Sequence, residues 1–326
     1  MTTLTSPSLS GRLPRSLAAL LAVLITATML LFTATAADAV QPSRDYPRIP
    51  KKCASSQEKI PQKPVVCHLN PYKAGRPTVV MWGDSHAWMF IPAVQKAAGG
   101  KVNLVASMMG GCPAMDNQVR ASDSTPACFQ SNRMGIEYVR SLVDDNQIVR
   151  VIIGGSWQRY RQAVKTRAGD YAETMGRAMV SGAPRLARTL SAMDVPVKVI
   201  GQVATVPEKR AACRAGEKPY ACNVPKSKAL ADAAGTKSWV TKLFKPAKPG
   251  KLIDVNGLYC KGSVCKGKVG KTFTWWDDLH LSATTSKRAS RFFKPIITEA
   301  LAAATPTNPG GGGGGGGGCT LLIFCR

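Results

Sequence analysis

The chain has 326 residues, 44 Lys and Arg against 19 Asp and Glu, and a formal net charge of +25. That length holds one good-sized α/β domain with appendages, and apart from one glycine run nothing repeats. Ten cysteines without a Cys-x-x-Cys pair, and only three histidines, argue against a zinc protein and for an oxidising compartment, so no metal or cofactor is expected.

In chain order, Arg12 and Arg15 precede an uncharged stretch from Ser16 to Ala37 with small-residue sites at Ala34-Thr35-Ala36 and Ala37-Asp38-Ala39. This is the pattern of an export signal, and the stretch is also long enough to span a bilayer. Residues 1–37 are therefore expected to be a cleaved signal peptide or a retained N-terminal membrane anchor. Cleavage after Ala36 removes only the two arginines and leaves +23. An anionic partner follows from that charge. Outside the cytoplasm, phosphate- or carboxylate-bearing envelope polymers or lipid headgroups fit better than nucleic acid, for which no groove-reading motif is visible.

Residues 38–77, rich in Lys, Pro and Gln, read as an irregular arm pinned by Cys53 and Cys67. Residues 78–304 read as the core domain. Its strand candidates are Thr78 to Trp82, Val102 to Ser107, Val149 to Gly154 and Val197 to Val203, with Leu252 to Val255 as a further edge strand. Helical stretches lie near Ala87 to Ala98, Asn132 to Asp144 and Pro184 to Met193. This alternation predicts an α/β fold, a three-layer α/β/α sandwich around a central, mostly parallel sheet. Pro207 to Pro249 reads as an excursion from the core, a lid or one wall of the site. Lysines concentrate from Lys237 to Lys271, either as a solvated loop region or as a surface that holds an acidic polymer. A closing helix repeats Phe292, Phe293, Ile296, Ile297, Ala300 and Leu301, with a kink expected at Pro295. Residues 305–326 comprise the Gly310 to Gly318 linker and a short tail. Proximity alone pairs Cys53 with Cys67, Cys112 with Cys128, Cys213 with Cys222, Cys260 with Cys265 and Cys319 with Cys325.

Two short motifs carry the chemistry: Gly83-Asp84-Ser85-His86, and Asp277-Asp278-Leu279-His280. Acyl transfer to a serine needs a hydroxyl, an imidazole to take its proton and an acid to orient the imidazole. Ser85 stands between an apolar run and a helical stretch, where its Oγ would emerge at the carboxyl end of a parallel strand. His86 adjoins Ser85, and His68 follows Cys67 in a loop-like stretch. That leaves His280 as the base. Asp277, three residues earlier, is near enough to orient it within one turn, and Asp278 beside it is a rival. Asp84 reads as shaping the turn, and His86 and Trp88 as pocket or packing residues.

These motifs, with Ser107 to Pro113 ending in Gly-Cys-Pro, the strand-like Val151 to Trp157, and Tyr259-Cys260 with Cys265, resemble the SGNH (GDSL-like) hydrolase family. The resemblance runs from about Cys53 to about Leu301. It is strongest to the branch found as the extracytoplasmic domain of polysaccharide O-acyltransferases. It implies a flavodoxin-like SGNH sandwich, a catalytic Ser85, His280 and Asp277, with Asp277 favoured over Asp278. It also implies an oxyanion site built from the Ser85 N–H, a glycine N–H at Gly111 or Gly110, and Ser156, which stands where the family offers asparagine. Trp157 beside it is either core or a platform for a sugar ring.

The function expected is an exported serine esterase or O-acyltransferase acting on an acylated envelope glycan. The membrane-spanning half of the family's fused members is not in this sequence, so transfer would need a separate membrane acyltransferase as partner, and hydrolysis is the simpler expectation. The alternative is a non-catalytic protein of the same fold that binds an anionic envelope polymer.

Overall fold

A computed structural model describes residues 44–53, 60–116, 126–206 and 223–304. The expected pairs Cys213 with Cys222 and Cys319 with Cys325, the N-terminal apolar segment and the glycine linker lie outside the described residues.

The sheet is built on β2 (Thr78–Gly83), an apolar run buried at every position. Such runs suit the middle of a parallel sheet, where both faces are covered. β2 pairs in parallel with β3 (Asn103–Met108) on one side and β4 (Val149–Gly154) on the other, and β4 with β5 (Val197–Val199). With β1 (Val66–His68) outside β3, the order is β1-β3-β2-β4-β5. The alternation of side chains along β2 assigns its two faces: Val79 and Met81 enter one core, Val80 and Trp82 the other. Helices cover both. Ile91–Ala98 and Lys294–Ala304 pack on the first face, and Pro126–Asp144, Tyr171–Ala192 and Ala233–Phe244 on the second. The fold is the expected α/β/α sandwich.

Several elements differ from the sequence reading. The stretch expected to be an irregular arm supplies β1 (Val66–His68), an antiparallel edge strand on β3. The Cys53–Cys67 disulfide ties it to the segment before it, as Cys112–Cys128 ties the loop after β3 and Cys260–Cys265 closes a hairpin. The helix expected over Ala87 to Ala98 is two, α1 (Ser85–Trp88) and α2 (Ile91–Ala98), and Pro126–Asp144 follows as α3. Pro92 explains the break, because it has no N–H to give to Trp88 and its ring crowds that carbonyl. The last strand ends at Val199, and Leu252 to Val255 adds only a bridge from Ile253 to Ile200.

The helix near Pro184 begins at Tyr171, because Asp170 caps it by accepting from the Glu173 N–H at 2.9 Å. Met175, Met179, Ala183, Leu186 and Leu190 form a continuous buried stripe along it. That burial outweighs the local cost of about 3 kcal/mol for an internal proline. Pro295 kinks nothing. It stands in the first turn of Lys294–Ala304, where a missing N–H costs no helical bond. Residues 223–249 are not an excursion, since Val240, Leu243 and Phe244 of Ala233–Phe244 are buried in the second core.

Candidate active site

β2 pairs Gly83 with Met108 of β3 and with Gly154 of β4, so the loops after all three strands leave the same edge of the sheet. β3 and β4 lie on opposite sides of β2, which makes this edge a topological switch point, the usual place for a ligand in an open α/β sheet. Gly83 has φ +140°, and a Cβ there would run into the Gly154 carbonyl. Only glycine lets the chain leave β2 so close to β4.

The next residue, Asp84, is fully buried and caps α1 by accepting from the His86 N–H at 2.7 Å. The cap is therefore Asp84, and the Ser85 hydroxyl is left for other work. His280 Nε2 lies 2.7 Å from Ser85 Oγ. On its other side His280 Nδ1 lies 2.8 Å from Asp277 Oδ2 and 3.0 Å from Oδ1. An ionised carboxylate only accepts, so Nδ1 carries the proton and Nε2 offers its lone pair to the serine O–H. Asp277 Oδ1 also accepts from the N–H groups of Leu279 at 2.9 Å and His280 at 2.6 Å, which fixes the turn. Burial pushes the Asp277 carboxyl up, but the His280 ring and these two N–H groups outweigh it and hold the group below its ordinary value. Asp278 is engaged differently, its carbonyl accepting from the Val206 N–H at 2.8 Å.

His280 is only 6% exposed, with Trp88 edge-on at 5.8 Å and His86 at 5.2 Å between ring centroids. Trp276 continues this wall to Tyr46, at 5.1 Å, in a segment whose Asp45 carboxylate accepts from the Thr284 N–H at 2.9 Å. The chain just before the first disulfide thus buttresses the histidine loop.

Asp84 does more than shape its turn. Its second oxygen accepts from the Ser156 N–H at 2.9 Å and the Tyr160 hydroxyl at 2.6 Å, bracing the start of α4 (Trp157–Thr166) against the Ser85 turn. Burial first, and Asp84 second, push the Tyr160 hydroxyl well above its ordinary range, so it stays a donor. The sequence reading missed this tie. The signal available was Tyr160 four residues after Ser156, on one helix face.

Of the two glycine candidates after β3, Gly110 spends its N–H on the Pro61 carbonyl at 2.7 Å. Among the described residues the Gly111 N–H has no such acceptor, and Gly111 takes the left-handed φ of +68° that glycine suits. Buried Asn132 holds that loop, accepting from the Trp82 indole at 2.9 Å and the Met115 N–H at 3.2 Å and donating to the Pro113 carbonyl at 3.0 Å. Ser156 heads α4, and its hydroxyl does not cap the helix. Trp157 is core: it is 1% exposed and its indole N–H goes to the Ile200 carbonyl at 2.7 Å.

His86 is buried beside a cavity of about 420 Å³ whose wall also includes Ser156, Gln202, Thr205 and Leu279. Burial lowers the His86 pKa to about 4, against a smaller opposing pull from Asp84. Because the unfolded chain binds this proton near 6.5 and the folded one does not, stability is complete above 6.5 and falls as the pH drops to about 4. The expected loss is about 3 kcal/mol. Urea melts of the protein at pH 7 and pH 4.5 should show most of it, and His86→Phe should flatten the slope. Asp277, with its lowered pKa, loses its contribution only below 3.8, so the two windows separate.

The model of a family described as the SGNH domain fused to AT3 domains matches residues 52–295. The chain belongs to the SGNH family. Like that family it is a serine hydrolase acting on ester bonds, related to the SGNH domains of O-acyltransferases. No curated protein matches the chain. A solved structure, a carbohydrate acetylesterase family member from Sinorhizobium meliloti, aligns over 69% of this chain and 99% of its own with 13% identity and a TM-score of 0.32. The three disulfides among the described residues suit an extracytoplasmic SGNH domain. Among the described residues no helix is long and apolar enough to cross a membrane.

Proposed function

We propose that the protein is an exported esterase or O-acyltransferase that works on acyl esters of a cell-envelope polysaccharide through an acyl-Ser85 intermediate. The observation that carries this reading is the unbroken hydrogen-bonded chain from Ser85 Oγ through His280 to Asp277. Ser85 Oγ attacks the ester carbonyl carbon while His280 Nε2 takes its proton, and Asp277 stabilises the imidazolium. The Ser85 N–H, at the first position of α1 and so without a helical acceptor, the Gly111 N–H and the Ser156 hydroxyl receive the oxyanion. Collapse breaks the C–O bond to the sugar, which leaves with the proton from His280. Water or a second sugar hydroxyl, deprotonated by His280, then attacks acyl-Ser85 and frees the serine.

An acetylated polysaccharide incubated with the purified protein separates the outcomes. Hydrolysis predicts release of acetate that is abolished by His280→Ala. Transfer predicts acetyl groups on an added deacetylated acceptor, with less free acetate.

A second reading, a binding protein for an anionic polymer, is favoured by one feature. Lys237, Lys242 and Lys245 line a shallow groove of about 430 Å³ along Ala233–Phe244. It predicts that the polymer is retained with its acyl groups intact.

A further inference from the structure

Two residues on the wall of the cavity beside His86 each carry a buried polar atom without a hydrogen-bond partner, His86 Nδ1 and Gln202 Oε1. His86 is 4% exposed, its backbone N–H is fixed by Asp84, and Nδ1 stands 3.8 Å from Asp84 Oδ1, beyond a hydrogen bond. Gln202 already spends its amide N–H groups on Gln158 Oε1 and on the Ala231 carbonyl, at 3.3 Å for the latter. Flipping the amide would forfeit the bond to the Ala231 carbonyl. A buried polar atom left unpaired costs about 1–3 kcal/mol, so what belongs in this space can pair with two of them at once.

We infer that this cavity is the subsite for the alcohol portion of the ester, a neutral hydroxyl-bearing sugar ring held by His86 and Gln202. The inference rests on the esterase reading for its place in the reaction and on the cavity for its chemistry. A hydroxyl both donates and accepts, so it satisfies Gln202 Oε1 and either tautomer of His86. An acyl chain would leave both unpaired. Ser156 and Thr205, which carry hydroxyl groups, also line the space, together with the aliphatic residues Val203, Val206 and Leu279. About 420 Å³ lies in the range of about 300–1,000 Å³ typical of small-molecule sites. The charged residues on the wall are Arg159, Asp170 and Asp278, one cation against two anions, which disfavours an acidic sugar here. The lysine groove along Ala233–Phe244 shares no residue with this cavity, so the protein's excess positive charge is not what selects the ring.

The position suits a leaving alcohol. His86 follows Ser85 directly, and Leu279 and Asp278 come from the turn that carries His280, the group that returns the proton.

Titration calorimetry on the full Ser85→Ala protein, with a neutral O-acetylated disaccharide and with its uronic acid counterpart, tests the subsite without turnover. The neutral ligand is expected to bind more tightly, and Gln202→Leu in the same background to weaken it at least about fivefold, the loss of one hydrogen bond. Thr205→Val serves as a second variant with a minimal change in shape, expected to weaken binding about twofold or more, and thermal melts confirm folding. Equal affinity in both variants, or preference for the uronic acid ligand, overturns the subsite. If the parent protein hydrolyses p-nitrophenyl acetate while the neutral sugar does not bind, the subsite fails and the esterase reading stands. If the sugar binds as described but no ester is cleaved, the esterase reading fails and the cavity keeps its ligand.

Discussion

Ser85→Ala is expected to lower kcat on a short-chain aryl ester by about 10⁵–10⁶-fold, with little change in thermal stability. The size follows from what the hydroxyl alone supplies. Its Oγ is the group 2.7 Å from His280 Nε2, and once it is gone the imidazole has no nucleophile to activate. What survives is the acceleration from the oxyanion donors and binding, about 10³–10⁴ over water in serine hydrolases generally. Stability changes little because Asp84, not Ser85, caps α1. A steady-state assay with p-nitrophenyl acetate, beside a thermal melt, checks both halves. A variant retaining a tenth of the activity would place the nucleophile elsewhere.

Asp277→Asn is expected to cost about 10³–10⁴ in kcat while leaving the fold intact. Asparagine keeps the shape, and its carbonyl oxygen can still accept from the Leu279 and His280 N–H groups. Its NH₂, facing His280 Nδ1, disfavours the tautomer that has its proton there. The imidazole then carries its proton on Nε2, toward Ser85, and cannot accept another. Asp278→Asn, whose carboxylate makes no bond to His280, is expected to lose less than about tenfold. Steady-state kinetics on the two variants decide between neighbouring aspartates, and a larger loss at Asp278 would reverse the assignment.

Much of this was legible because the signals are local. The central strands are short, mostly apolar runs, and their alternation with helices leaves few topologies. Three histidines made the base nearly forced, and the spacing from Asp277 to His280 fits one turn. What stayed hidden depends on tertiary contacts. α4 carries Arg159, Arg161 and Lys165 among few apolar residues, so it reads as a polar stretch, and its buried Trp157, Tyr160 and Ala163 show only against the core. Ala233–Phe244 hides its buried Val240, Leu243 and Phe244 among lysines. β1 is three residues long and is a strand only because β3 pairs with it. The bond from Tyr160 to Asp84 joins residues 76 apart. Gln202 follows the last strand with nothing in its neighbours to mark it as a cavity wall.

The central claim is that Ser85 is a nucleophile activated by His280. A fluorophosphonate reacted with the purified, disulfide-bonded protein, followed by intact mass and peptide mapping, tests it most directly. The expected result is one adduct, on the peptide containing Ser85, absent in Ser85→Ala and at least about 10²-fold slower in His280→Ala. No adduct on the folded protein, or an adduct on another residue, would contradict the claim.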